Sequence, residues 1–233
     1  MATVDPFAAS PATPLPGADH FSDPEQTPIA LAPWVLHGQG VIVVLRDTAR
    51  VPAQRGAFGR FSLVMFVDYT ASEVGPYREL LYIPRVERWP DVIGGTVEDI
   101  WVTSTASALN GNANWGLTKS VADIRREPGG AAGLERWTAE DDAGPLATFS
   151  HRPRGPKFPV AKPKNVAKLV QRRDGLAWVT PVSLRAWTRL TSVDSLWLDP
   201  ERLLDTERHR PIAALQITSG RLGFHEATVR AVA

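Results

Sequence analysis

The feature that most constrains this chain is a succession of short apolar segments rich in β-branched and aromatic residues, each closed by Gly, Pro or Asp. "GVIVVLR" (40–46), "FSLVMFVDYT" (61–70), "ELLYIPRV" (79–86) and "DIWVTST" (99–105) set the pattern. "VADIRRE" (121–127), "RWTAE" (136–140), "AWVTPVSLRAW" (177–187), "IAALQIT" (212–218) and "LGFHEATVRAV" (222–232) continue it. Branched and aromatic side chains suit a pleated, half-buried surface, and runs of this length between turn residues read as strands. Helical candidates are short, around Thr105–Asn110 and around Pro200–Leu204. Strands at this density, without long helices between them, predict antiparallel sheets rather than repeated β-α-β units. The expected fold is mainly β (α+β), a closed barrel or sandwich with few short helices.

Residues 1–30 break the pattern. They hold six prolines (Pro6, Pro11, Pro14, Pro16, Pro24, Pro28) among Ala, Ser, Thr and Asp. Such a stretch buries too little apolar surface to offset the entropy of ordering it. It is expected to be an arm, loose or laid across a neighbouring subunit, ahead of a single domain over 31–233. A chain of 233 residues suits one large β domain.

Several function classes drop out. A net charge of +1 offers no field for nucleic acid or an anionic membrane. The chain has no cysteine, which removes thiolate metal sites and cysteine nucleophiles. No apolar run approaches the roughly 20 residues of a membrane span. Asp5 and Pro6 stand where a secretory leader would be basic and then apolar, so a soluble, cytoplasmic protein is expected. The segment 151–173 carries eight Lys or Arg and no acid. Its plain reading is the solvated face of a hairpin, and the alternative is a surface that contacts an anion or a subunit. With Phe158 its one aromatic residue, it is a poor platform for stacking bases. There is no G-x-S-x-G, Walker A or G-x-G-x-x-G, and the five histidines lack ligand spacing. Lysine, arginine and carboxylate remain as carriers of chemistry.

Two stretches stand out together: "EVGPYRELLYIP" (73–84), with Glu79 in an otherwise apolar strand, and "ALNGNANWGLTKSVADI" (108–124), with Lys119 among apolar neighbours. Taken singly, each charged residue is equally explained as an ordinary strand-edge or surface group. Tyr77 shares a strand face with Glu79, because side chains alternate. Asn114 and Trp115 flank the turn before Lys119 and are candidates for a pocket wall, with turn chemistry and core packing as the alternative.

Gly75-Pro76-Tyr77-Arg78-Glu79, followed some forty residues on by Gly116-Leu117-Thr118-Lys119, resembles the acetoacetate decarboxylase family. "VVLR" (43–46) and "DSLWLDPERLLD" (194–205) are similar to that family as well, and the resemblance spans roughly residues 35–230. It implies an antiparallel β-cone or closed barrel with the site inside, a homo-oligomer, no cofactor, and a small-molecule keto acid as the bound partner. It further implies that Lys119 forms a Schiff base with that keto acid, activated by apolar burial or a cationic neighbour. Glu79 would shuttle a proton or position the imine, and Arg46 would hold the substrate carboxylate through paired hydrogen bonds. Three positions depart from the pattern. Ser120 stands where the decarboxylases have a second lysine, Thr118 replaces a proline, and "RFSLVMF" (60–66) lacks a glutamate. The alternatives are a Schiff-base aldolase or dehydratase on a larger keto acid, or a non-catalytic binder in which Lys119 pairs with a ligand carboxylate.

Overall fold

A computed structural model describes residues 27–47, 61–84, 86–88, 92–129, 133–166 and 168–231. Of the arm expected over 1–30, residues 1–26 lie outside the described residues. The strands are β1 (Trp34–Asp47), β2 (Phe61–Ala71), β3 (Tyr77–Ile83), β4 (Val86–Arg88), β5 (Ile93–Gly95) and β6 (Asp99–Val102). After the helix α1 (Thr105–Trp115) come β7 (Lys119–Val121), β8 (Asp123–Glu127), β9 (Glu135–Asp141) and β10 (Gly144–Lys162). β11 (Lys168–Arg173), β12 (Leu176–Leu198), β13 (His209–Phe224) and β14 (Thr228–Ala231) complete the chain.

Hydrogen bonding joins the strands into one sheet whose main path runs β4-β5-β11-β12-β13-β1-β2-β3-β6-β7, with β10 and β14 branching from β12 and β9 and β8 following from β10. The class is mainly β, and the pairs are antiparallel except β6–β7 and β11–β5. Closure is a correction: the path ends at β4 and β7, and among the described residues the sheet is not closed by hydrogen bonds. The two terminal strands have three residues each and do not pair with one another.

Alternation along the central strands sorts side chains into two cores. Val64 and Phe66 of β2, Leu80 and Tyr82 of β3, and Trp101 of β6 join one cluster with Trp137 and Phe149. Val67 and Tyr69, Tyr77 and Leu81, and Ile100 and Val102 face the other way, into a second cluster with Trp34 and Trp115. A one-residue register slip would exchange these faces, which is why the pattern fixes the pairing. Polar groups within the sheet are tied together. His151 is fully buried, its Nδ1 2.8 Å from Thr191 Oγ1 and its Nε2 3.1 Å from Glu135 Oε1. Arg126 bridges Glu135 at 2.9 Å and Asp68 at 3.1 Å.

Three local expectations change. Residues 200–203 form turns, not a helix: the amides of Leu203 and Leu204 both bond the carbonyl of Asp199, and a new turn starts at Asp205. The segment 151–173 is not a hairpin, since β10 and β11 run one after the other along β12, Lys162 opposite Leu184 and Lys168 opposite Pro181. One β-α-β unit does occur. β6 and β7 are parallel, with Ile100 opposite Lys119, and parallel neighbours need a crossover, which α1 supplies. Among the described residues, no helix is long and apolar enough to cross a membrane.

Candidate functional site

The crossover helix places the lysine. Ser104 caps α1, its hydroxyl accepting from the Ser107 amide at 3.2 Å. Gly116 ends the helix at φ 63°, a left-handed conformation that glycine adopts freely, and a Cβ there would strike the Trp178 ring at 2.6 Å. Three residues later the chain enters β7 beside α1. Asn112 joins helix and strand: its Oδ1 accepts from the Lys119 amide at 2.7 Å, and its Nδ2 donates to the Lys119 carbonyl at 3.2 Å. The register of β7 is therefore set at the lysine itself.

Lys119 points inward and is buried, its side chain 4% exposed and that of Glu79 3%. Its ammonium donates to Glu79 Oε2 at 2.9 Å and to Ser107 Oγ at 3.1 Å, and lies 5.2 Å from the Tyr77 ring centroid. Gly111, one helical turn beyond Ser107, leaves room for the stem. A Cβ at that position would meet Lys119 Cε at 2.8 Å. Tyr69 and Tyr77 pack with their ring centroids 4.9 Å apart and their planes tilted by 49°. Burial first, and the charge of Glu79 second, push both phenols well above their ordinary range. They remain neutral hydroxyls, and Lys119 and Glu79 form one compensated ion pair among them.

This pair ends in a cavity of about 250 Å³ whose walls are otherwise largely apolar, including Trp34, Leu36, Met65, Leu81, Leu222 and Phe224. Trp115 meets Trp34 edge-on at 4.9 Å and donates its indole N–H to the His225 carbonyl at 2.9 Å. Its remaining charged lining residues are Lys162 and Lys168, both half-buried. Among the described residues, no group of three or more His, Asp or Glu is arranged to hold a metal ion.

The site gathers Lys119, Glu79, Tyr77 and Trp115, all four lining the cavity. Two residues singled out in the sequence fall elsewhere. Arg46 is exposed at the far end of β1 from Trp34 and Leu36 and is not part of the lining. Leu45 before it packs into the opposite core, so alternation puts Arg46 on the cavity's side of the sheet, but at the exposed end of β1, beyond the lining. Asn114 serves the chain N-terminal to β1: it accepts from the Ala32 amide at 3.3 Å and donates to the Ala30 carbonyl at 2.8 Å. Asn110, four residues earlier on the same helix face, binds the Ala30 amide at 2.7 Å and the Pro28 carbonyl at 3.1 Å. Sequence reasoning missed Ser107, Asn112, Tyr69, Lys162 and Lys168. The seven-residue interval from Asn112 to Lys119 carried the one usable signal, an amide side chain at a helix end facing the next strand.

No family model matches the sequence, and no curated protein matches it. Similarity appears in solved structures. An acetoacetate decarboxylase-like enzyme from Sphingomonas wittichii RW1 superposes with a TM-score of 0.63 at 15% identity, covering 94% of this chain and 100% of its own. The acetoacetate decarboxylase of Legionella pneumophila gives 0.62 at 16% identity, over 94% of this chain and 98% of its own. The enduracididine biosynthesis enzyme MppR, in complex with pyruvate, gives 0.62 at 14% identity, over 88% of this chain and 93% of its own. The open, two-cored sheet with its single helical crossover is thus, among the described residues, the acetoacetate decarboxylase-like fold.

Proposed function

We propose that this protein is a lyase of the acetoacetate decarboxylase type that binds a small keto acid covalently, as a Schiff base on Lys119. The observation that carries the reading is the Lys119 ammonium, buried at an apolar cavity wall and 2.9 Å from a single carboxylate. A lysine kept out of water is costly unless paired, and an amine placed against an open cavity with a proton acceptor beside it is equipped to attack a carbonyl. That MppR is similar in fold and holds pyruvate supports a keto acid as the ligand class.

The chemistry follows from the geometry. Glu79 takes a proton from Lys119, and the freed Nζ lone pair adds to the substrate carbonyl carbon. Loss of water from the carbinolamine gives a neutral imine, which takes one proton from solvent and becomes the cationic iminium. When the carboxylate lies on the carbon next to this centre, the C–C bond breaks, carbon dioxide leaves, and the bonding pair moves into the iminium to form an enamine. Glu79, now a carboxylic acid, returns its proton to the enamine carbon, and water hydrolyses the product imine. Ser107 Oγ, 3.1 Å from Nζ, orients the amine. Ser120, where the decarboxylases have their second lysine, is exposed on the opposite side of β7, so the proton of Lys119 leaves through Glu79.

Intact-protein mass spectrometry after incubation with pyruvate or acetoacetate and sodium borohydride tests this reading. A reduced adduct that disappears in Lys119→Met is the expected result. A folded protein that binds keto acids reversibly and yields no adduct would replace the lyase with a binding protein.

A further inference from the structure

We propose that the substrate carries, besides the carboxylate next to its reacting carbonyl, a second carboxylate at the far end of an apolar chain, and that Lys162 and Lys168 hold that second carboxylate at the cavity mouth. The inference rests on Lys119 as the Schiff-base residue and supplies the other end of the substrate.

The charges come first. Of the four charged residues that line the cavity, Lys119 and Glu79 neutralise one another at 2.9 Å. Among the described side chains no carboxylate lies within ion-pair distance of Lys162 or Lys168, so these two add positive charge to the described cavity lining. Lys162 donates to the Val182 carbonyl, and burial draws it below the ordinary lysine range. A partly desolvated cation without a counter-ion is costly, and a bound anion relieves that cost. Arg46, the cation the sequence offered for the carboxylate, is outside the cavity.

Burial then distinguishes the two ends. Lys119 opens β7 beside β6, whereas Lys168 opens β11 and Lys162 closes β10, both against β12. Lys119 is buried and the two mouth lysines are half-buried. A ligand touching both ends passes walls such as Leu81, Val97, Leu169 and Leu222, which offer no partner to a polar chain. Beside Lys162 a second hollow of about 370 Å³ is lined by Lys164, Arg185, Arg221 and His225, with no Asp or Glu. Such a rim draws anions toward the opening.

Two measurements test this. Isothermal titration compares hexanoate, which cannot form an imine, with hexanol, for wild type, Lys168→Met and Lys162→Met/Lys168→Met. Hexanoate should bind the double variant about tenfold or more weakly than wild type, the worth of one charge-assisted contact, while hexanol binds all three alike and so reports intact folding. Equal hexanoate affinity across the variants, or no hexanoate binding to wild type, overturns the assignment. Borohydride trapping then compares an oxoheptanoate, its carbonyl beside the terminal methyl, with the methyl ketone of equal length lacking the carboxylate. The acid should trap faster in wild type and at the ketone's rate in the double variant. If both trap equally in wild type, the mouth assignment falls and Lys119 stands. If neither traps while hexanoate still discriminates, the Schiff base falls and the anion site stands.

Discussion

Replacing Gly111 by alanine separates the chemistry of Lys119 from the folding of the domain. The added methyl would lie 2.8 Å from Lys119 Cε, 2.9 Å from Cδ and 3.4 Å from Nζ. Carbon atoms rest about 3.5 Å apart or more, so the stem must move by roughly 0.7 Å. What it meets is the far end of a flexible side chain, and the helix gains about 1 kcal/mol from losing a glycine. Against this, the shift weakens the bonds of Nζ to Glu79 and Ser107, and a hydrogen bond to a charged group is worth about 1.5–3 kcal/mol. The net change in stability is therefore small, about 1–2 kcal/mol unfavourable, or a fall in Tm of about 2–8 °C for a chain of this size. The reacting nitrogen suffers more, because a misplacement near 1 Å costs roughly a hundredfold in rate. Borohydride-trapping rates and thermal unfolding, with Ala113→Gly on the exposed side of α1 as the helix control, make the comparison. A Gly111→Ala protein that traps keto acids at the wild-type rate, with a raised Tm, would refute the placement of Lys119 against the helix.

The buried pair gives a second prediction: Lys119→Met or Glu79→Leu alone should cost about 3–5 kcal/mol in urea unfolding, because each strands a charge, whereas the double substitution should recover most of that loss. Asn112→Ala should slow trapping by uncoupling Lys119 from α1, while Asn114→Ala should leave the trapping rate unchanged and increase protease sensitivity at residues 28–32. Acid stability should depend on Glu135. Burial opposes its charge, but hydrogen bonds from His151 and Arg126 and their charges outweigh that and hold its carboxyl at about 2, below the ordinary 4.5. A depressed carboxyl stabilises the fold above its unfolded value and loses that contribution as pH falls from about 4.5 toward about 2. That depression corresponds to on the order of 3 kcal/mol. Urea unfolding between pH 6 and 2.5 should show this slope in wild type and lose it in Glu135→Gln, and an unchanged slope would remove Glu135 as its source.

The strands were legible because one face of each is apolar: the alternation in "FSLVMFVDYT" survives in β2 as two sets of side chains in two cores. The juxtaposition of Lys119 and Glu79 was approachable through short motifs, although forty residues separate the two in the chain. Closure of the sheet was not legible, since it depends on whether two terminal strands meet, which no local pattern encodes. Arg46 lies outside the described lining, a placement not legible in the sequence, because a strand's polar end residue reads the same whether it borders a cavity or solvent. Asn114 and Asn112 differ by two places on a helix, enough to turn one amide toward residues 30–32 and the other toward β7. Lys162 and Lys168 stood in a run of eight basic residues whose plain reading was a solvated face. Only the way β10 and β11 flank β12 turns those two inward.

The measurement closest to the central claim is peptide mapping of the protein after borohydride reduction in the presence of a keto acid. The expected result is a single reduced adduct on the peptide that contains Lys119, absent from Lys119→Met and slowed in Glu79→Gln. A modification spread over surface lysines, or none on Lys119 in a folded protein saturated with keto acid, would contradict it.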